Sequence, residues 1–224
     1  MYTASMSLPI YQEILLLALR DRRGTPMGSW TVQAIAGGVS GDLVLGGRVA
    51  LEGRRSLVTL IDAEPMHDPV LDGCLLQVAQ AKRRASVQTW ISRFANQKLY
   101  HASATELCER GVLRESSERV MLLFSRTVYP EVDPRPERAI IERLRKAIFS
   151  DDATIDARTS VLIALASATD LLGAVFPRKE LRARRKRIEA IRDGQAVGKA
   201  AKAAIDGIQA AIIVACIVPA IMTT

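Results

Sequence analysis

The chain has 224 residues, of which 49% are hydrophobic and 25% are charged, and its mean hydropathy is +0.11. This composition excludes a disordered or low-complexity protein, and the length suits one domain or two. The net charge of +7 lies entirely in residues 178–202, the basic block, which holds ten basic and three acidic residues, so the chain is not uniformly basic.

The N-terminal part predicts two helices joined by a loop. In residues 7–20, apolar side chains recur at helical spacing. A loop containing Gly and Pro, residues 21–30, ends this helix and leaves Trp30 at its far end. Residues 31–46 predict a second helix, weakened by internal glycines that each cost about 1 kcal/mol relative to alanine.

The middle of the chain predicts two β-hairpins that alternate with helices. Residues 47–62 alternate apolar and polar around a Gly-Arg-Arg turn, which indicates the first hairpin. Residues 66–81 predict one helix and residues 86–111 predict two more. Residues 112–128 predict the second hairpin, with a polar turn at Glu115–Arg119.

The last third of the chain predicts helices. Residues 134–150 carry one apolar face, whereas residues 159–176 are apolar nearly all round, as is typical of a central buried helix. Residues 203–222 are either a buried helix or a membrane anchor. A spanning helix needs about 20 strongly apolar residues, and this run contains Gly, Gln and Pro, so we expect a core helix with Ile213 and Cys216 buried.

Residues that would support catalysis or metal binding are scarce. The two histidines, His67 and His101, lack metal-ligand spacing, and the chain has no nucleophile elbow or phosphate-binding loop. We interpret His67 as a surface residue and Cys74 as core packing. The three cysteines form no C-x-x-C pair, which indicates a reducing compartment, and residues 1–10 do not resemble a secretory leader. We predict neither an enzyme nor a cofactor.

Two alternatives arise from the pattern of helices, hairpins and charge. Each hairpin follows a helix that ends in glycine, which is the outline of a winged-helix nucleic-acid-binding module. Residues 31–46 contain no Lys or Arg, however, and a recognition helix needs such donors, which disfavours nucleic acid as a partner. The basic block suits the phosphate groups of lipid or nucleic acid, or is a solvated helix face.

Several segments, taken together and in order, resemble the Golgi phosphoprotein 3 family. Their match covers roughly residues 7–222, and no single segment is as specific as a metal motif. The segments are LPIYQEILLLALRDRRGTPMGSW, GDLVLGGRVALE, SVQTWI, ELCERGVL with VMLLFSRTVYP, and VLIALASATDLLGAVF. The Ala- and Arg-rich composition and the lack of an acidic N-terminal extension resemble a prokaryotic member.

The resemblance implies a fold and a function. The fold is mainly α, a single domain over 1–224, built as a helical bundle around an apolar central helix with short β-hairpins. Eukaryotic members bind phosphatidylinositol 4-phosphate on the cytosolic face of the Golgi and gather the tails of glycosyltransferases. A loop Trp and several arginines form their headgroup pocket, an apolar loop enters the bilayer, and a hairpin mediates self-association.

Only part of the family's headgroup pocket is present. Trp30 matches the loop Trp, but the helix after it lacks the family's Arg. The Arg-x-x-Arg pair falls near Gln97 and Tyr100, with Lys98 between them, and a lysine cannot replace a bidentate guanidinium. We predict a headgroup site of Trp30 and Lys98 with two neighbouring loop cations, Arg22 and Arg23.

The predicted function is that of a cytoplasmic phospholipid-binding adaptor, peripheral to the inner face of a membrane. Protein tails and a second copy of the chain are further partners by family analogy, and a structural oligomeric scaffold remains an alternative. Part of the basic block is predicted to face the membrane. This basic patch consists of Arg182, Arg184, Arg185, Lys186 and Arg187.

Overall fold

Two buried helices cross at close range in the centre of the protein. Helix α1 spans Ile10–Ala18, with all nine residues buried, and helix α2 spans Thr31–Leu45. A Cβ atom at Gly38 would lie 2.7 Å from the Cα atom of Tyr11, so the two backbones are in direct contact. The structure, a computed structural model, describes residues 8–20, 23–28, 30–120, 124–151 and 155–193.

Short antiparallel strand pairs connect the helices in this part of the chain. In the hairpin of β3 and β4, Leu51 lies opposite Val58 and the turn occupies residues 53–56, which confirms the predicted first hairpin. The pairs are β1 (Leu19–Arg20) with β2 (Thr25–Pro26), β3 (Val49–Glu52) with β4 (Leu57–Leu60), and β5 (Ser116–Val120) with β6 (Phe124–Val128).

The predicted turn of the second hairpin is wrong. The polar run Glu115–Arg119 lies largely within β5 rather than in a turn, and Val120 is paired with Phe124. An exposed two-stranded ribbon does not need alternating apolar residues. The polarity of these residues therefore did not distinguish a strand from a turn. Glu118 is stabilised instead by the opposite strand, where the Nε atom of Arg126 donates a 2.9 Å hydrogen bond to its carboxylate.

Three capped helices follow the first hairpin in the order predicted. Helix α3 spans Pro69–Ala79, α4 spans Val87–Phe94 and α5 spans Gln97–Glu109. Each begins after a side chain that accepts backbone N–H groups of its first turn, as a good N-cap does. These caps are Asp68, Ser86 and Asn96.

Five further helices complete the described chain: α6 (Arg135–Phe149), α7 (Ala157–Ala168), α8 (Leu171–Val175), α9 (Arg178–Ala183) and α10 (Arg185–Arg192). The predicted continuous helix over 159–176 is therefore two helices. Asp170 interrupts it with a φ of +57°, a left-handed conformation that Asp tolerates better than most residues. The burial of this segment is confirmed, since α7 is buried from Thr159 to Ala166.

A partly buried network of carboxyl and guanidinium groups joins the central helices to α6 and α7. The carboxylate of Glu13 in α1 lies 2.6 Å from Arg143 and 3.1 Å from Arg158. Asp42 in α2 accepts backbone hydrogen bonds from Ile10 and Tyr11 and lies 3.6 Å from Arg158. Asp42 therefore caps the N-terminus of α1, which has no side-chain cap of its own.

The mainly α, single-domain helical fold with short hairpins is confirmed. Within the described ranges, no helix is both long enough and apolar enough to cross a bilayer. The predicted helix over 203–222, with Ile213 and Cys216, lies outside those ranges.

Candidate functional site

Trp30 lies at the junction between the first loop and α2. Its side chain is half-buried, and its carbonyl oxygen accepts the Ala34 backbone N–H at 2.9 Å. The Thr31 hydroxyl donates a 2.9 Å hydrogen bond to the Gly28 carbonyl and closes the end of the loop. The start of α2 therefore holds the backbone of Trp30 and leaves part of the indole exposed.

The other end of this loop is fixed on Tyr129. Gly24 has a φ of +61°, and its carbonyl oxygen accepts the Tyr129 backbone N–H at 2.9 Å. A Cβ atom at Gly24 would lie 2.0 Å from the Tyr129 carbonyl carbon, so only glycine fits there. The Tyr129 hydroxyl is hydrogen-bonded at 2.7 Å to Nδ1 of His101 in α5, which links the loop to that helix.

The first turns of α5 carry Gln97, Lys98 and Tyr100, the residues that the resemblance sets against the family's Arg-x-x-Arg pair. Gln97 and Lys98 are exposed, whereas Tyr100 is buried in an aromatic cluster with His101 and Tyr129, at ring-centroid distances of 5.2 and 5.8 Å. Burial raises the pKa of Tyr100 to about 12, so its hydroxyl stays neutral at physiological pH. An aromatic packing residue thus occupies the position of an arginine.

The exposure of the predicted headgroup residues can be given for only part of the set. Arg23 is exposed in the loop and Lys98 is exposed on α5, while Arg22 lies outside the described ranges. Among the residues that can be described, no hydrogen bond, ion pair or cation–π contact joins Trp30 to Arg23 or Lys98. The described contacts therefore show no assembled phosphate fork at Trp30.

The basic patch divides into two groups that face different surroundings. Arg184 donates a 2.7 Å hydrogen bond to the Phe149 carbonyl and lies 2.7 Å from Asp151. Arg187 donates to the Ala147 carbonyl at 3.4 Å. Both side chains are half-buried and bind carbonyl groups at the C-terminus of α6, where cations are stabilised by the helix dipole. Two of the five predicted membrane-facing cations therefore contact α6.

The other three members of the basic patch, Arg182, Arg185 and Lys186, are exposed. Arg185 also binds Glu189 at 2.8 Å, one turn further along α10. Its guanidinium remains exposed in this pair, so the ion pair contributes little to stability and leaves the group accessible.

A cleft of about 340 Å³ lies beside these exposed cations, between α8 and α10. Its lining combines cationic and aliphatic side chains with a hydroxyl and two carboxylates. Three arginines (Arg182, Arg185, Arg192) and three aliphatic residues (Leu172, Leu181, Ile188) line it. The carboxylates, Asp170 and Glu189, pair with Arg178 and Arg185. This lining suits a ligand with an anionic group attached to an apolar one.

Residues 10–208 match the family model described as Golgi phosphoprotein 3. The chain belongs to the Golgi phosphoprotein 3 family. This membership confirms the resemblance found in the sequence, and places the protein among Golgi phosphoprotein-like adaptors, a non-enzymatic family.

Sequence reasoning missed the structural role of Arg184 and Arg187. Their carbonyl partners lie 35 and 40 residues earlier in the chain, so no local pattern could have indicated that they cap α6. It also missed the cation–π contact of Arg145, whose guanidinium carbon lies 5.2 Å from the Phe176 ring centroid. For His67, exposure confirms the prediction of a surface residue, and burial of Cys74 confirms core packing.

Proposed function

We propose that this Golgi phosphoprotein 3 family member binds anionic phospholipid, as an adaptor peripheral to the cytoplasmic face of a membrane. The observation that supports the proposal is the cleft between α8 and α10, where exposed arginines adjoin aliphatic side chains. A phospholipid joins an anionic headgroup to apolar chains, and each basic residue near an anionic leaflet contributes about 1 kcal/mol.

Trp30 contributes a second contact in this proposal. An indole has an apolar body and one N–H donor, so it suits the boundary between headgroups and acyl chains. Lys98 and Arg23 are exposed cations that attract phosphate without the bidentate geometry of a paired arginine fork. We therefore expect binding that depends on negative charge and shows no preference for phosphatidylinositol 4-phosphate over other anionic lipids.

The test uses a cleft variant that spares the two arginines on α6. Arg182→Gln, Arg185→Gln and Lys186→Gln together remove the exposed charges of the basic patch and leave Arg184 and Arg187 in place. We expect the variant to lose at least about tenfold in binding to phosphatidylcholine vesicles that contain phosphatidylserine, measured by sedimentation. Wild-type binding should also weaken as salt is raised, because mobile ions screen exposed charges.

A matched control separates position from total charge. The control variant, Arg110→Gln, Arg114→Gln and Arg138→Gln, removes three exposed cations from other elements. It should bind vesicles within about twofold of wild type, since none of the three residues lines the cleft. Equal losses in both variants would show that only net charge matters, and wild-type protein that ignores anionic vesicles would end the proposal.

A further inference from the structure

A second group of cations gathers around the turn of the β3–β4 hairpin. Arg54 and Arg55 occupy the turn itself, and Lys82, Arg83 and Arg84 follow the end of α3. All five residues are exposed. We refer to these five residues as the hairpin patch.

Backbone hydrogen bonds hold the two halves of the hairpin patch together. The Val58 N–H donates to the Ala85 carbonyl, and the Val87 N–H donates to the Ser56 carbonyl, both at 2.9 Å. Leu57 forms an isolated antiparallel bridge with Ser86. The chain after Arg84 therefore lies against the start of β4, directly beside the residues that follow Arg55.

Arg84 anchors this arrangement through its side chain. Its guanidinium donates hydrogen bonds to the Glu52 carboxylate at 2.8 Å and to the Thr59 hydroxyl at 3.1 Å. Glu52 and Thr59 lie on β3 and β4, so one arginine joins the loop to both strands of the hairpin. Arg84 is a positioning residue that fixes where its neighbours Lys82 and Arg83 lie.

The remaining cations of the hairpin patch lack neutralising partners. Among the described residues, no ion pair engages Arg54, Arg55, Lys82 or Arg83, whereas Arg84 is paired with Glu52. Five cations and one carboxylate give this small surface a charge of +4. Unpaired like charges held this close repel one another, and an anionic partner relieves that repulsion.

We propose that the hairpin patch is a second membrane contact that takes anionic phospholipid headgroups. The inference rests on the proposed function, to which it adds a separate binding surface. At the other end of β4, Leu60 and Ile61 are 37% and 61% exposed. The cations attract an anionic membrane surface, and the exposed aliphatic side chains at the far end of the same strand suit the bilayer interface.

Nucleic acid fits this surface less well. A winged-helix module reads the major groove with the helix that precedes its hairpin. Here that helix is α2, which is buried along most of its length from Thr31 to Leu43 and contains no Lys or Arg. The hairpin patch offers charge for phosphates and no helix that could enter a groove.

The hairpin patch and the α8–α10 cleft belong to different parts of the fold. Helix α10 packs against α7, α7 packs against α2, and β3 follows α2. The two surfaces share no residue, and the packing that links them runs through α7 and α2, so we expect a substitution on one to leave the other intact. This separation allows the two contacts to be tested independently.

The experiment compares three variants that each lose three charges. The hairpin variant is Arg54→Gln, Arg55→Gln and Arg83→Gln, which spares the anchor Arg84. It is measured beside the cleft variant and the control variant on phosphatidylcholine vesicles with and without phosphatidylserine. Thermal melting and circular dichroism establish that each variant is folded. We expect the hairpin variant to bind anionic vesicles at least about tenfold more weakly than the control, at about fivefold per basic residue.

Three results would overturn the inference, and they distinguish its failure from failure of the proposed function. If the cleft variant loses binding and the hairpin variant matches the control, the cleft binds membrane and the hairpin patch does not. If wild-type protein binds no anionic vesicles, the proposed function and this inference fail together. If the hairpin variant retains vesicle binding but loses binding to duplex DNA in a shift assay, the partner of the hairpin patch is nucleic acid instead.

Discussion

The carboxylate of Asp42 lies inside the protein, where it accepts the backbone N–H groups of Ile10 and Tyr11 at 3.0 and 3.2 Å. Burial raises its pKa to about 7, and nearby Glu13 adds to this shift, while the two hydrogen bonds and Arg158 oppose it. An unfolded chain would release this proton near pH 4. Between about pH 4 and pH 7, the Asp42 carboxyl therefore keeps its proton in the folded state and has lost it in the unfolded state.

This difference predicts a pH dependence of stability. Because the folded pKa is raised, the contribution of Asp42 is fully present below about pH 4 and is lost as the pH rises toward about 7. Relative to Asp42→Asn, whose amide does not ionise, the wild-type free energy of unfolding should fall across this range by up to about 1.4 kcal/mol per pH unit. Denaturant unfolding at several pH values measures it.

A matched substitution serves as the control for Asp42. Asp133 is half-buried at the surface, and its hydrogen bonds with Arg135 lower its pKa to about 2. Between about pH 5 and 7, the stability of Asp133→Asn should change with pH as that of the wild type does. The Asp133 carboxyl of the wild type is ionised in both the folded and the unfolded state over this range. Parallel profiles for Asp42→Asn and wild type would contradict the protonated state of Asp42.

The two tryptophans permit a direct comparison of surface and core roles. We expect Trp30→Ala to weaken binding to anionic vesicles at least about tenfold, which is about 1.4 kcal/mol, with little loss of thermal stability. Trp90 is 4% exposed, so Trp90→Ala should cost about 3–5 kcal/mol of stability. Vesicle sedimentation and thermal melting on both variants measure the two quantities. A Trp30→Ala variant as unstable as Trp90→Ala would make Trp30 a packing residue.

At the level of elements, the glycines of α2 show how tertiary packing overrides helix propensity. The sequence predicts a weak helix, since glycine disfavours helix formation. At Gly38, however, the missing side chain is what lets the backbone of α1 approach, because a Cβ atom would lie 2.8 Å from the Tyr11 nitrogen. The glycine that lowers the helix propensity of α2 is therefore required for α1 to pack closely against it.

Two glycine substitutions with opposite expected signs test this interpretation. Gly38→Ala should destabilise the protein by at least about 1–3 kcal/mol, because the α1 backbone cannot yield as a flexible side chain would. Gly73, in α3, has no atom within 4 Å of the position of a Cβ. Gly73→Ala should therefore stabilise by about 0.5–1 kcal/mol. Denaturant unfolding of both variants measures these changes in stability. Equal changes in the free energy of unfolding would contradict direct contact between α1 and α2.

Local patterns predicted the helices and the first hairpin but not every boundary. Helical spacing of apolar residues located α3 correctly, because its buried face is encoded in its own sequence. The break at Asp170 and the strand at Ser116–Val120 were missed, since both depend on backbone geometry and pairing that their residue types only permit. The inward orientation of Arg184 was also hidden, because its partners lie on a distant helix.

Across the whole molecule, the arrangement of charge differs from its arrangement along the chain. The sequence concentrates the net charge in the basic block, yet the fold directs Arg184 and Arg187 of that block to α6. The fold also brings together the two segments of the hairpin patch, and each of these segments is too short to stand out in a profile of charge along the sequence. The locations of cationic surfaces therefore follow from tertiary contacts, and the sequence alone predicted only one of the two proposed here.

The capping of α1 by Asp42 also bears on the order in which the protein is assembled. A nine-residue helix is unstable alone in water, and α1 lacks a local cap and buries every face. The Glu13 carboxylate of α1 pairs with Arg143, which lies 130 residues later in the chain. During synthesis, α1 leaves the ribosome before the helices that complete it. The packing of α1 is therefore completed only after α6 and α7 have been translated, and until then part of its apolar surface stays uncovered.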